Sequence, residues 1–304
     1  MKNTMFAKVE SFNETTYDTD TIRAIAEDEQ GYTLRVPKKA TIQVGVIYNF
    51  TVEPIVFKER DQFLVLEYKP IDELDLPLSR RQELMDLFYE FAPIEVETVK
   101  FVIEQRIASI KNEIILKLTN SMYETYKDQF YLYPAATKFH HAYIGGLAYH
   151  TFTMMKLIDG FCKVYPILDE DLLFAGVLLH DILKIKELSD YVMPEYTTEG
   201  RLLGHITMAI KELEVHAEKL NVRGSEEALL LQHMILSHHY FPHFGSPKKT
   251  NIPEALILHF IDNIDSKMTV LKETLDQVEP GEFTSPIGVL DREKYYKAKC
   301  TNKK

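Results

Sequence analysis

Along the first seventy or so residues, apolar and polar side chains alternate. "TIRAIAEDEQGYTLRVP" alternates on both sides of "DEQG", which predicts a hairpin. "IYNFTVEPIVFKERDQFLVLEYKPI" repeats the pattern around a "KERDQ" turn. Short strands, tight turns and no long helix predict a small β-barrel or sandwich. An oligonucleotide-binding (OB) barrel and a featureless β-module both fit. "PIDELDLPLSR", 70–80, carries two prolines and clustered acids and reads as a linker. From Arg81 the apolar spacing changes to three and four, as in "RRQELMDLFYEF" and "VKFVIEQRIASIKNEIILKL", the mark of amphipathic helices. Asp169, Ser225 and Pro253 stand where later helices should open. The expected chain is mainly α. A small β module spans 1–75, a helical bundle 81–285, and a basic, mobile tail 286–304.

Composition narrows the classes. The 304 residues, 45% hydrophobic, suffice for one large domain or a medium and a small one. No apolar run is long enough to span a bilayer, and "MKNTMFAKVE" has no apolar signal core. Cys162 and Cys300 are far apart and outside any CxxC pattern. They fit a reducing cytosol, so a cytoplasmic protein without membrane attachment is expected. The formal charge of −11 argues against gripping a duplex through a broad basic face. It leaves room for a local groove, or for a site where metal cations supply the positive charge.

The candidate chemistry lies in the helical part. All 11 histidines fall between residues 140 and 259. In "LLHDILK", His180 and Asp181 end an apolar helix, where an ionised carboxylate is costly unless something positive compensates it. Such a pair alone fits a helix end turned to solvent. Its companions change the picture. His150 follows the Gly-Gly pair in "FHHAYIGGLAYHT", His205 sits in "GRLLGHI", and His238 and His239 are adjacent in "LSHHYF". His259, Asp262 and Asp265 share a helical face in "LHFIDNIDSKM". Imidazole and carboxylate ligands from several helices suit Mn, Fe, Co, Ni or Zn in a bundle core. A structural zinc site is disfavoured because cysteine ligands are missing.

This ordered set resembles the HD superfamily of metal-dependent phosphohydrolases. "HHAYIGGLAYHT", "LLFAGVLLHDILK", "EGRLLGHI", "ILSHHYFPHFGSP", "EALILHFIDNIDSKM" and "PGEFTSPI" are similar to successive motifs of the YhaM-type 3′→5′ exoribonucleases. Those join an N-terminal OB-type nucleic-acid-binding domain to an HD domain. The resemblance covers roughly residues 130–285 and implies two divalent metal ions, with manganese the first choice. It makes His150, His180, Asp181 and Asp262 ligands of one metal. Asp181 would bridge to a second held by His205, His238 and His239. It sets Lys184 toward the substrate phosphate, and Asp181 and Lys184 as the catalytic pair. His259 and Asp265 would support Asp262 from behind. His140 and His141 would touch substrate phosphate or support the ligands, with surface histidines as the alternative. Leu183 and Tyr240 stand where the family often has glycine, which adds bulk near the site.

The activity the resemblance implies is hydrolysis of single-stranded RNA, or single-stranded DNA, to nucleoside 5′-monophosphates. Tyr143, Tyr240, Phe241 and Phe244 are near enough to the motifs to stack bases, with core packing as the alternative for each. The rivals are an HD phosphohydrolase of small nucleotides and a nucleic-acid-binding protein with a vestigial metal site. The oligomeric state, homo-oligomer included, stays open.

Overall fold

The computed structural model describes residues 2–137 and 141–300. It divides into two compact units, Met1–Glu90 and Phe91–Lys304.

The first unit is a five-stranded barrel. Its strands are β1 (Asn3–Asn13), β2 (Thr19–Ala26), β3 (Gly31–Pro37), β4 (Ile47–Phe57) and β5 (Arg60–Pro70). Both expected hairpins form, β2–β3 and β4–β5. The barrel closes in the order β1-β2-β3-β5-β4, with β1 antiparallel to β4 and a short parallel pairing of β3 with β5. That is the five-stranded OB type of barrel. Alternation puts Val9, Ile22, Leu34, Phe50 and Val65 into its core.

The segment expected as a linker is structured. A 3₁₀ turn, Ile71–Glu73, leads into α1 (Leu78–Phe88). Leu84 and Phe88 of α1 pack with Ile71 and with Ile47 of β4, so this helix belongs to the barrel unit. The chain therefore divides at Glu90/Phe91, later than the prolines suggest, because a helix after them buries its apolar face on the barrel.

The second unit is helical: α2 (Val96–Ala108), α3 (Glu113–Phe130), α4 (Gly146–Val164), α5 (Glu170–Leu179), α6 (Lys184–Glu187), α7 (Thr198–Lys219), α8 (Glu226–Ser237) and α9 (Pro253–Asp276). The run "VKFVIEQRIASIKNEIILKL" is broken because Asn112 caps α3, accepting from the backbone N–H of Ile114 and Ile115. Asp169 caps α5 and Ser225 caps α8 through backbone N–H groups three residues on. After its acidic first turn α5 is buried at every residue from Leu172 to Leu179. Such a helix carries no amphipathic stripe and must lie at the centre of its bundle.

The basic segment expected to be mobile is folded as far as it is described. Gly281 and Lys297, Thr284 and Tyr295, and Ile287 and Glu293 are joined by backbone hydrogen bonds. Ile287 and Leu290 are buried. Apolar positions among the basic ones drive this packing. Residues 301–304 lie outside the described residues. Among the described residues no helix is long and apolar enough to cross a membrane.

If α1 belongs to the barrel, Leu84→Ala should destabilise that unit by about 2–5 kcal/mol. Amide hydrogen exchange should rise in β4 and around Ile71 and stay unchanged in α5 and α9. Unaltered exchange in β4 would contradict the assignment.

Candidate metal centre

The chain brings the separated histidines together by a few local devices. Gly145, at φ 79°, turns the backbone into α4, and a Cβ on Gly146 would stand 2.0 Å from the His141 carbonyl oxygen. Only glycine permits that approach, which sets the start of α4 and hence His150 one turn later. Gly204, at φ 71°, interrupts α7. The following N–H, that of His205, then donates to Glu187 Oε1 at 3.1 Å. His180 and Asp181 sit in the turn between α5 and α6, and His238 caps α8.

Each ring is then fixed through its Nδ1. His180 Nδ1–H donates to the Val177 carbonyl and His238 Nδ1–H to the Ile235 carbonyl, both at 2.8 Å. His239 Nδ1–H donates to the Phe244 carbonyl at 2.5 Å. His205 Nδ1–H donates to Glu187 Oε2 at 3.0 Å, and His150 Nδ1–H to Asp265 Oδ2 at 2.8 Å. A carbonyl or ionised carboxylate only accepts, so Nδ1 carries a proton and Nε2 faces inward, free to offer a lone pair once the ring is neutral.

Those Nε2 atoms converge on Asp181. Its carboxylate lies 3.2 Å from His205 Nε2, 3.4 Å from His180 Nε2, 3.8 Å from His238 Nε2 and 3.9 Å from His150 Nε2. Asp181, His205, His238 and His239 offer one set of ligand atoms within 4.8 Å of one another. His150, His180 and Asp262 offer a second. Nε2 of His180, His205 and His238 and Oδ1 of Asp181 are buried without a hydrogen-bond partner. Orphaned atoms of that kind cost roughly 1–3 kcal/mol each. Divalent cations held in these two sets would satisfy all four, and the imidazole–carboxylate ligands suit a transition metal. The residues present thus fit a divalent metal site.

Charge reinforces this. Burial opposes ionisation of Asp181, but Lys184, its Nζ 2.6 Å away, and the surrounding rings hold the carboxyl well below the usual range. Burial would depress His150, yet Asp262 and Asp265 outweigh it and raise its pKa to about 9. Asp181 and Glu187 do the same for His205, also to about 9. Burial, aided by neighbouring rings, keeps His238 well below its usual value and therefore neutral.

A cavity of about 860 Å³ opens on this cluster. Asp181, Lys184, Glu187, His205, His239, His259 and Asp262 line it, together with Tyr196, Phe241, Phe244 and residues Gly288, Val289 and Asp291 of the folded C-terminal segment.

Not every expected residue lies where the motifs suggest. His141 is buried between the Tyr143 hydroxyl, 2.7 Å away, and Asp265, 2.8 Å away. Of its two expected roles, that placement carries support of Asp265 and not a substrate contact. His140 lies outside the described residues. Tyr143 and Tyr240 do not line the cavity, whereas Phe244 does. Tyr240, at φ 66°, turns its ring onto His259 at 5.1 Å. That left-handed backbone is the conformation glycine adopts most readily. Leu183 is fully buried in the core, so neither bulky departure narrows the cavity. His259 donates to the His238 carbonyl at 2.8 Å and does not support Asp262. Asp265 supports His150 and His141 instead. Glu187 and Tyr196 escaped the sequence reading. An acid amid the apolar residues of "KIKEL" was the available signal for Glu187.

A model of the HD domain matches residues 147–267. Fold and site thus define an HD-domain protein with a candidate divalent metal centre. The 3′-5′ exoribonuclease YhaM of Bacillus licheniformis is 42% identical over 241 residues, 79% of this chain and 74% of its own. That of Bacillus subtilis is 45% identical over 222 residues, 73% and 70% of the two chains. That of Bacillus pumilus is 40% identical over 270 residues, 89% and 81%. The chain belongs to the YhaM 3′-5′ exoribonuclease family.

Two outcomes follow. Glu187→Ala should weaken divalent-metal affinity about 10–100-fold while the circular dichroism spectrum stays unchanged; unaltered affinity in calorimetry would remove Glu187 from the site. The second concerns pH. Raised pKa values at His150 and His205 contribute stability that is present below the unfolded value near 6.5 and is lost as pH rises through about 9. These two groups should therefore make metal-free protein less stable at pH 9 than at pH 6.5. With metal in excess the sign should reverse, because ligation needs neutral rings. Identical trends in melting temperature with and without metal would contradict this.

Proposed function

We propose that the chain is a metal-dependent 3′→5′ exoribonuclease, shortening single-stranded RNA, or single-stranded DNA, from its 3′ end to nucleoside 5′-monophosphates. The observation that carries this reading is the convergence of inward Nε2 atoms on buried Asp181 at the floor of an aromatic-edged cavity. RNA as substrate and the 3′-5′ direction rest on the Bacillus relatives, 3′-5′ exoribonucleases at 40–45% identity.

Two divalent ions, manganese the expected one, would be held by His150, His180, Asp181 and Asp262 and by Asp181, His205, His238 and His239. Bound there, they would lower the pKa of a water and offset charge developing on the phosphoryl oxygens. The protein's part is to hold these groups still. Glu187, Asp265 and three backbone carbonyls lock the ring tautomers, so little reorganisation accompanies the reaction. Lys184 lines the cavity beside Asp181, where its ammonium faces the phosphate being attacked. Hydrolysis breaks the bond between phosphorus and the 3′ oxygen of the preceding nucleotide, leaving a new 3′-hydroxyl and a 5′-monophosphate. Phe241, Phe244 and Tyr196, all substantially exposed, offer ring faces to an unstacked terminal base.

The barrel suits a strand-holding role. Tyr17 in the β1–β2 loop and Phe57 at the β4–β5 turn pack edge to face at 5.4 Å, beside Lys58. OB barrels bind oligonucleotides with these two loops. No assigned metal ligand lies in that unit, so its contribution is affinity and not chemistry.

A 5′-labelled single-stranded RNA tests the reading. With manganese it should yield a ladder shortening from the 3′ end. Chelation, or Asp181→Ala, should reduce the rate on the order of a thousandfold or more, and a 3′ block should slow it. Immediate release of labelled mononucleotide, fragments from a circular strand, or wild-type turnover by Asp181→Ala would each overturn it. Consumption of free nucleotides with RNA untouched would favour a small-nucleotide phosphohydrolase.

A further inference from the structure

Two lysines line the cavity, and they are not equivalent. Lys184 is engaged, its ammonium 2.6 Å from the Asp181 carboxylate. Lys267 is half-buried at the cavity wall and makes no ion pair or hydrogen bond with any described residue. In a chain of net charge −11, an ammonium at a cavity wall with no partner among the described residues asks what anion it serves.

Its place on α9 separates it from the reacting phosphate. His259, Asp262, Asn263, Ser266 and Lys267 all line the cavity. Their spacing of three and four makes one helical stripe. Lys267 is at the far end of that stripe, about 7.5 Å along the axis from Asp262. The metal-ligand cluster with Lys184 serves the scissile phosphate. A strand entering the same cavity brings a second phosphate, one nucleotide upstream.

We infer that Lys267 holds the phosphate next upstream of the scissile one, and so distinguishes a strand end from a free nucleotide. The inference rests on the exoribonuclease reading. Lys267 is a positioning residue here, since it touches a part of the substrate that does not react. Its removal weakens the grip on a strand and leaves alone the hydrolysis of a substrate with a single phosphodiester.

The test uses the full chain with Lys267→Ala and Lys267→Arg. Binding of a fluorescent oligouridylate strand to chelator-treated protein is followed by anisotropy across salt concentrations. Loss of one phosphate contact should flatten the slope of log affinity against log salt by about 0.7. With metal, Lys267→Ala should raise KM for the strand about tenfold with kcat little changed. Lys267→Arg should restore most of it. Turnover of the p-nitrophenyl ester of thymidine 5′-phosphate, which has no upstream phosphate, should be unchanged. An unaltered salt slope, or an equal fall in ester turnover, overturns the assignment. If Lys267→Ala flattens the slope as expected but the wild type never shortens the strand, the exoribonuclease reading fails and the phosphate contact stands.

Discussion

The site depends on one repeated interaction, the hydrogen bond from an imidazole Nδ1–H to an acceptor fixed by the fold. Val177, Ile235 and Phe244 supply carbonyls, and Glu187 and Asp265 supply carboxylates. Each bond sets a tautomer and a ring direction. Together they aim five Nε2 atoms at the space around Asp181. Without them the same histidines would be polar groups buried at a cost. With them the cluster is a candidate coordination shell, in which a bound divalent cation would offset that cost.

The fold's irregularities serve this arrangement. The pair Gly145–Gly146 brings the His141 carbonyl against the start of α4. The break at Gly204 gives Glu187 both a backbone and a ring N–H of His205. α5, apolar all round from Leu172 onward, holds His180 and Asp181 at its C-terminal end, deep in the bundle. The packing core and the polar centre are therefore one structure. The cavity takes its remaining wall from the folded segment after α9, so residues distant in sequence from the ligands shape access to them.

Much of this was legible in the sequence. Alternation revealed both barrel hairpins, because a half-buried strand must repeat every two residues. Asp169 and Ser225 were legible as caps, since their side chains act within three residues. The order of histidines and aspartates pointed to the ligand set. What was not legible depends on tertiary placement. No local pattern says that α1 packs on the barrel, that His141 is buried against Asp265, or that Tyr240 turns onto His259. Glu187 lies six residues beyond Asp181 in the chain, and its role appears only when α6 meets the break in α7. The apolar residues of the basic tail were outweighed by its charges when read as composition alone.

The central claim is that the inward Nε2 atoms and the Asp181 carboxylate form a divalent metal centre. The most direct measurement is a crystal of manganese-loaded protein with diffraction collected at the manganese absorption edge. The account predicts anomalous density among Asp181, His150, His180, His205, His238, His239 and Asp262, with every ligating ring bonded through Nε2. Density located instead on His141 and Asp265, or none at all in protein soaked well above the metal's dissociation constant, would contradict it.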